Sequence, residues 1–150
     1  MESRVITIRQ GRTKKNYHTS TSHETEMFAT RLAKTLRGGD VLALSGELGA
    51  GKTVFTNGIA KGLGIKKQIT SPTFVLMMLY PIPKTKASHK DAIKLCHIDT
   101  YRLGSAQGLI DIGIQDYIGK SDVITVIEWP EKIAALVPSH NINIHIEHKA

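Results

Sequence analysis

At 150 residues, 41% hydrophobic and 22% charged, the chain has the make-up of a globular protein and the length of one domain. Its longest apolar run, residues 74–79, is far too short to cross a bilayer, and Met1-Glu2-Ser3-Arg4 is no apolar signal segment, so neither a membrane nor an exported protein is expected. One cysteine, Cys96, excludes an internal disulfide and fits a reducing cytoplasm, while a net charge of +7 favours polyanionic company.

Val5-Ile6-Thr7-Ile8 alternates as an opening strand, and residues 14–22 read as a polar loop. Thr21-Ser22-His23-Glu24 fits a capping box, ahead of a helix with Phe28, Leu32 and Leu36 on one face and a stop at Gly38-Gly39. Residues 40–45 read as a short buried strand, and residues 54–63 as a helix closed by Gly62-Leu63-Gly64. Ser71-Pro72-Thr73 leads into a strand over residues 74–80, broken at Pro81-Ile82-Pro83. The Lys/His-rich stretch to Lys90 reads as an exposed hairpin tip. Residues 92–98 form another strand, ending in Asp99. Residues 104–119 stay ambiguous, because Ile112, Ile114 and Ile118 want burial while the glycines among them weaken a helix. A strand over residues 123–127 ends at Glu128-Trp129-Pro130 and is followed by a short helix to Val137. Residues 141–147 then alternate, Ile142, Ile144 and Ile146 against Asn143, His145 and Glu147, which reads as an edge strand. Strands alternating with helices imply an α/β three-layer sandwich, parallel at its centre, with antiparallel additions.

Between the strand over residues 40–45 and the second helix lies Gly46-Glu47-Leu48-Gly49-Ala50-Gly51-Lys52-Thr53, a complete G-x-x-x-x-G-K-[ST] phosphate loop in the strand–turn–helix context it requires. There, successive main-chain N–H groups and a helix N-terminus converge on one spot suited to phosphate. The motif puts Lys52 on the β- and γ-phosphates and the Thr53 hydroxyl on Mg²⁺. A second carboxylate is needed at the end of a neighbouring strand, and Asp99 and Glu128 both qualify. Ser71-Pro72-Thr73 could offer hydroxyls to a γ-phosphate, although on spacing alone a strand-opening turn explains it better. His97 reads as a packed strand residue, and the other histidines lack metal-ligand spacing.

Taken in order, Gly46–Thr53, Ser71-Pro72-Thr73-Phe74, His97-Ile98-Asp99-Thr100-Tyr101-Arg102-Leu103 and Val126-Ile127-Glu128-Trp129-Pro130 resemble the TsaE (YjeE-type) family, bacterial P-loop ATPases of tRNA threonylcarbamoyladenosine synthesis. The resemblance runs from about Thr21 to Glu147. It implies a P-loop NTPase fold, a central parallel sheet flanked by antiparallel strands. It also implies ATP and Mg²⁺ as ligands and the TsaB–TsaD heterodimer as partner, with tRNA met indirectly through that complex. Hydrolysis would reset the complex between turnovers. By the same resemblance Lys52 and Asp99 serve catalysis, and Thr53 and Glu128 hold the metal. Leu48, Gly49, Ala50, Gly51, Lys52 and Thr53 would surround the phosphates, Thr73 would belong to a switch loop, Trp129 would lie near the nucleotide and Thr25 near the base. Two departures stand out: Val54 replaces a frequent threonine, and the family's usual final Gly-Arg segment and strand do not follow residue 147.

A small-molecule kinase would need an arginine cluster, yet after Arg37 the chain has Arg102 alone, and no guanine-reading Asn-Lys-x-Asp occurs. The same scarcity implies slow hydrolysis in isolation. A non-catalytic module, docked by ATP without turnover, remains the alternative on sequence grounds.

Overall fold

The computed structural model describes residues 3–70, 77–84, 92–101, 107–111 and 113–149. Ten elements alternate along the chain: β1 (Ser3–Gln10), β2 (Thr13–Thr19), α1 (Ser22–Ala33), β3 (Val41–Ser45), α2 (Lys52–Gly62), β4 (Met77–Pro81), β5 (Lys94–Asp99), α3 (Gln107–Asp111), β6 (Val123–Glu128) and β7 (Ile142–Lys149). Short 3₁₀ segments cover Ile114–Asp116 and Pro130–Leu136. The strands form one sheet in the order β2-β1-β7-β3-β6-β5-β4. The four central strands, β7, β3, β6 and β5, run parallel, and β1, β2 and β4 join antiparallel at the flanks. The sequence-based fold class is therefore borne out. None of the helices among the described residues is long and apolar enough to cross a membrane.

Period-two alternation sends each central strand's apolar residues to two faces. Leu42, Leu44, Leu95, Ile124, Val126, Ile144 and Ile146 meet Phe55 and Ile59 of α2 and Leu63 at its C-cap in the larger core. Val41, Cys96, Ile98, Val123 and Ile127 meet Ile114 and Ile133 of the 3₁₀ segments on the other side. Burial pushes the Cys96 thiol up to about 12, so it acts as a small apolar side chain.

The capping box forms as read, with Thr21 Oγ1 accepting from Glu24 N at 3.0 Å and Glu24 Oε2 accepting from Thr21 N at 3.2 Å. Phe28 and Leu32 pack on the core rim, but the inner line of α1 is Thr25, Ala29 and Ala33. Small residues are needed there because α2 offers Gly58 and Gly62. A Cβ on Gly58 would lie 2.4 Å from Glu26 O, and one on Gly62 would lie 2.4 Å from Thr30 O. The two helices thus meet backbone to backbone, tied by Thr30 Oγ1 donating to Gly58 O at 3.1 Å.

Two readings are corrected. Residues 13–19, read as part of a polar loop, form β2, paired with β1 from Arg4↔Thr19 to Gln10↔Thr13. It is an outermost strand whose side chains are mostly exposed, so its main-chain pairing leaves no apolar signature. Residues 142–149 are no edge strand, because β7 is bonded on both sides, to β1 and to β3. Its alternation instead records one face that is only half-buried. Within the ambiguous stretch, Gln107–Asp111 form α3 and Ile114–Asp116 a 3₁₀ turn that buries Ile114, while residues 104–106 and Ile112, like residues 85–91 with the supposed hairpin tip, lie outside the described residues.

Candidate nucleotide-binding site

The phosphate loop joins β3 to α2, and its glycines are required by geometry. Gly46 has φ +146°, and a Cβ there would lie 2.5 Å from Ile146 O. Gly51 has φ +107°, a left-handed backbone at the N-terminus of α2. Leu48 and Gly49 are exposed at the loop's crest, Ala50 is buried beneath it, and Thr53 is exposed on the first turn of α2. The loop is held from below by Arg4 of β1, itself buried, whose Nε donates to Ala50 O at 3.1 Å. His148 Nε2 at the end of β7 donates to Gly49 O at 2.6 Å.

Lys52 is buried, with Nζ donating to Gly46 O at 2.5 Å and Glu47 O at 2.9 Å. The ammonium also lies 4.2 Å from the centroid of the Trp129 ring. Burial lowers its pKa, against the opposing pull of Glu128, then Asp99, then Glu131. Those acids come together through sheet register: Asp99 of β5 pairs with Glu128 of β6, and Leu44 of β3 pairs with Glu128 from the other side. Glu128 thus ends β6, the strand beside β3 and its loop, whereas Asp99 ends β5, one strand further out and next to Glu128 in register.

Trp129 is the one non-glycine residue with positive φ among those described, at φ 61° and ψ 52°. Its main chain is pinned: Trp129 N donates to Leu44 O at 3.3 Å, and Trp129 O accepts from the buried Thr100 Oγ1 at 2.6 Å. Tyr101 lies against the indole at a centroid distance of 5.1 Å. Asp99 Oδ1 accepts from Tyr101 N at 3.0 Å. His97, one face-step before Asp99, is bonded through Nε2 to Glu128 Oε2 at 2.5 Å, both side chains being buried.

The donor set suits a small hard cation in the presence of phosphate. It is oxygen-only, a Thr53 hydroxyl with carboxylates at Glu128 and Asp99. The described residues hold no cluster of three or more His, Cys, Asp or Glu that could cage a metal alone. A separate cavity of about 420 Å³ is lined by Ser45, Asn143, Pro138, Glu131 and neighbours. It includes none of Lys52, Thr53, Asp99 or Glu128 and is not the phosphate site.

With this geometry, the family described as threonylcarbamoyl adenosine biosynthesis protein TsaE matches residues 19–150. The chain belongs to the TsaE family. The tRNA threonylcarbamoyladenosine biosynthesis protein TsaE of Treponema pallidum is 38% identical over 125 residues, covering 83% of this chain and 85% of that protein. Its counterpart in Bacillus subtilis is 34% identical over 131 residues, covering 87% and 76%. The crystal structure of Bacillus subtilis YdiB superposes with a TM-score of 0.68 at 28% identity, covering all of this chain and 80% of that one.

Not every expected TsaE site residue is brought to the loop in a way that leaves it open. Thr25 is fully buried, its hydroxyl 2.7 Å from Thr19 Oγ1 and bonded to Thr21 O. Thr73, with the rest of Ser71–Phe74, lies outside the described residues. The segment leading to it is anchored by Asn57, which exchanges two 2.8 Å bonds with the main chain of Ile69. Sequence reasoning missed Arg4 and Thr100; His97 is packed in its strand as read, and its bond to Glu128 is the added finding. A strand-end Asp-Thr pair was the one available hint for Thr100. Arg4 had none, since its partner stands 46 residues away.

Proposed function

We propose that this chain binds ATP with Mg²⁺ and hydrolyses it slowly, as the ATPase subunit of the cytoplasmic machinery that makes threonylcarbamoyladenosine at position 37 of tRNA. Turnover is stimulated by the TsaB–TsaD pair and resets it. The observation that carries the reading is the convergence, around one helix N-terminus, of the Gly46–Thr53 amides, Lys52 and the paired strand-end acids Asp99 and Glu128.

The main-chain amides of residues 48–53 cradle the phosphates, and Lys52 exchanges the Gly46 and Glu47 carbonyls for phosphate oxygens. Thr53 and Glu128 hold Mg²⁺, which when bound neutralises charge on the phosphates. Asp99 would orient the attacking water and Trp129 would wall the nucleotide, while the parts of Thr25 near the base and of Thr73 near the γ-phosphate rest on the family resemblance. Among the described residues, Arg4 reaches the loop but spends its Nε on Ala50 O. An arginine finger is worth about 10³ to 10⁵ in rate, roughly 4–7 kcal/mol of barrier, so an external one explains dependence on a partner.

The test measures ATP turnover with and without TsaB–TsaD, together with tRNA modification, for wild type and Asp99→Asn. The expected outcome is partner-stimulated turnover in the wild type, and an Asp99→Asn variant that binds ATP but neither hydrolyses it nor supports modification. Fast turnover indifferent to partner would defeat the reading, and modification surviving in Asp99→Asn would reduce the chain to a ligand-gated clamp.

A further inference from the structure

We propose that His97 is a positioning residue that orients the Glu128 carboxylate for the divalent metal; this rests on Glu128 being a metal ligand. Parallel register places Leu95, His97 and Asp99 of β5 beside Ile124, Val126 and Glu128 of β6. Leu95, Ile124 and Val126 belong to the apolar layer under α2. The two residues paired directly with His97, Val126 of β6 and Met78 of β4, are both apolar.

What it does there is bind Glu128. The two side chains are 0% and 3% exposed, with Nε2 to Oε2 at 2.5 Å. The other ring nitrogen, Nδ1, is buried with no partner among the described residues. That fixes the tautomer: a proton on Nδ1 would leave a buried N–H without an acceptor and set the Nε2 lone pair against a carboxylate. With the proton on Nε2, His97 donates to Glu128, and only a lone pair is left unmet. Since this is the ring's single polar contact among the described residues, the carboxylate accounts for a histidine in this apolar layer. Such a buried polar pair contributes little to stability beyond what an apolar pair would.

The consequence is directional. One oxygen of Glu128 is taken, and the other, Oε1, has no hydrogen bond among the described residues. Glu128 has three side-chain torsions, and one fixed donor sets the plane of its carboxylate before the cation arrives. Outer-shell partners of this kind change metal affinity about 10- to 100-fold.

The experiment titrates Mn²⁺, followed by electron paramagnetic resonance, into the full chain with ADP. Wild type is compared with His97→Gln, His97→Asn, His97→Leu and Glu128→Gln. Glutamine places an amide N–H near the Nε2 position, whereas asparagine stops near Nδ1 and leucine offers no donor. His97→Asn and His97→Leu should raise the Mn²⁺ needed for half-saturation about 10- to 100-fold, with ADP affinity in EDTA unchanged within about twofold. His97→Gln should stay within about threefold of wild type. Wild-type Mn²⁺ saturation in His97→Asn and His97→Leu would overturn the proposal, as would a His97→Gln variant as impaired as His97→Asn. If His97→Leu fails to fold, the Gln–Asn contrast decides alone. Wild-type saturation in Glu128→Gln would instead remove the metal-ligand reading beneath the proposal, whatever the histidine variants do.

Discussion

Thr100→Val is a sensitive probe of how the nucleotide wall is held. Valine matches threonine in shape but loses the hydroxyl that donates to Trp129 O at 2.6 Å, within reach of Glu128 O at 3.1 Å. One such bond contributes about 1 kcal/mol net, which for a chain of this size lowers Tm by roughly 2–4 °C. The left-handed backbone of Trp129 stores strain of about 1–3 kcal/mol, a similar amount. Loss of the bond therefore lets the residue relax and draws the indole away from the Lys52 ammonium. Nucleotide affinity should fall up to about fivefold, the factor corresponding to 1 kcal/mol. Trp129 is the only tryptophan, so its emission reports the move directly. Thr125→Val is the control: the Thr125 hydroxyl is buried without a partner among the described residues, and its removal should be neutral or stabilising by about 1 kcal/mol. A Thr100→Val protein with a lowered Tm but unchanged emission and nucleotide affinity would make Thr100 an ordinary core residue and refute the reasoning.

Gly58→Ala sets two effects of opposite sign against each other. Helix propensity alone would stabilise α2 by about 1 kcal/mol, but overpacking against the Glu26 carbonyl, which cannot yield, costs about 1–3 kcal/mol and weakens the Thr30–Gly58 bond. Calorimetry should show a lowered Tm, and a raised one would mean the helices are not in backbone contact. Lys52 gives a pH signature. Because burial lowers its pKa, the unfolded chain binds more protons between the lowered value and the ordinary 10.5, so this contribution to stability rises with pH across that window. Phosphate affinity moves the opposite way, as the ammonium loses its proton. Nucleotide affinity measured by calorimetry from pH 7.5 to 10 should decline before an ordinary lysine would titrate, and a flat profile would contradict the burial argument.

What could be read from the residues alone is what acts over a few positions. Glycines at 46 and 51, the converging amides of one helix start, the Thr21–Glu24 capping box and acids closing apolar runs at 99 and 128 depend on neighbouring dihedrals and strand periodicity. Their physics is complete within a motif. The order of strands was not legible in the same way, because side-chain alternation reports which faces of a strand are covered and is silent about its edges. That is why β7, with Asn143 and His145 on a half-buried polar face, looked like a border yet lies between β1 and β3. It is also why β2 passed for a loop.

Only the tertiary structure decided which long-range partners converge. Arg4 comes under Ala50, Thr100 onto the carbonyl of Trp129, and His97 onto Glu128, across separations of 46, 29 and 31 residues. No local preference encodes these meetings. They follow from sheet register, where a shift of one residue would turn Asp99, His97 and Glu128 to the wrong face. The phosphate cradle was thus written into eight consecutive residues, while the means of holding and orienting it arose from where the strands happened to align.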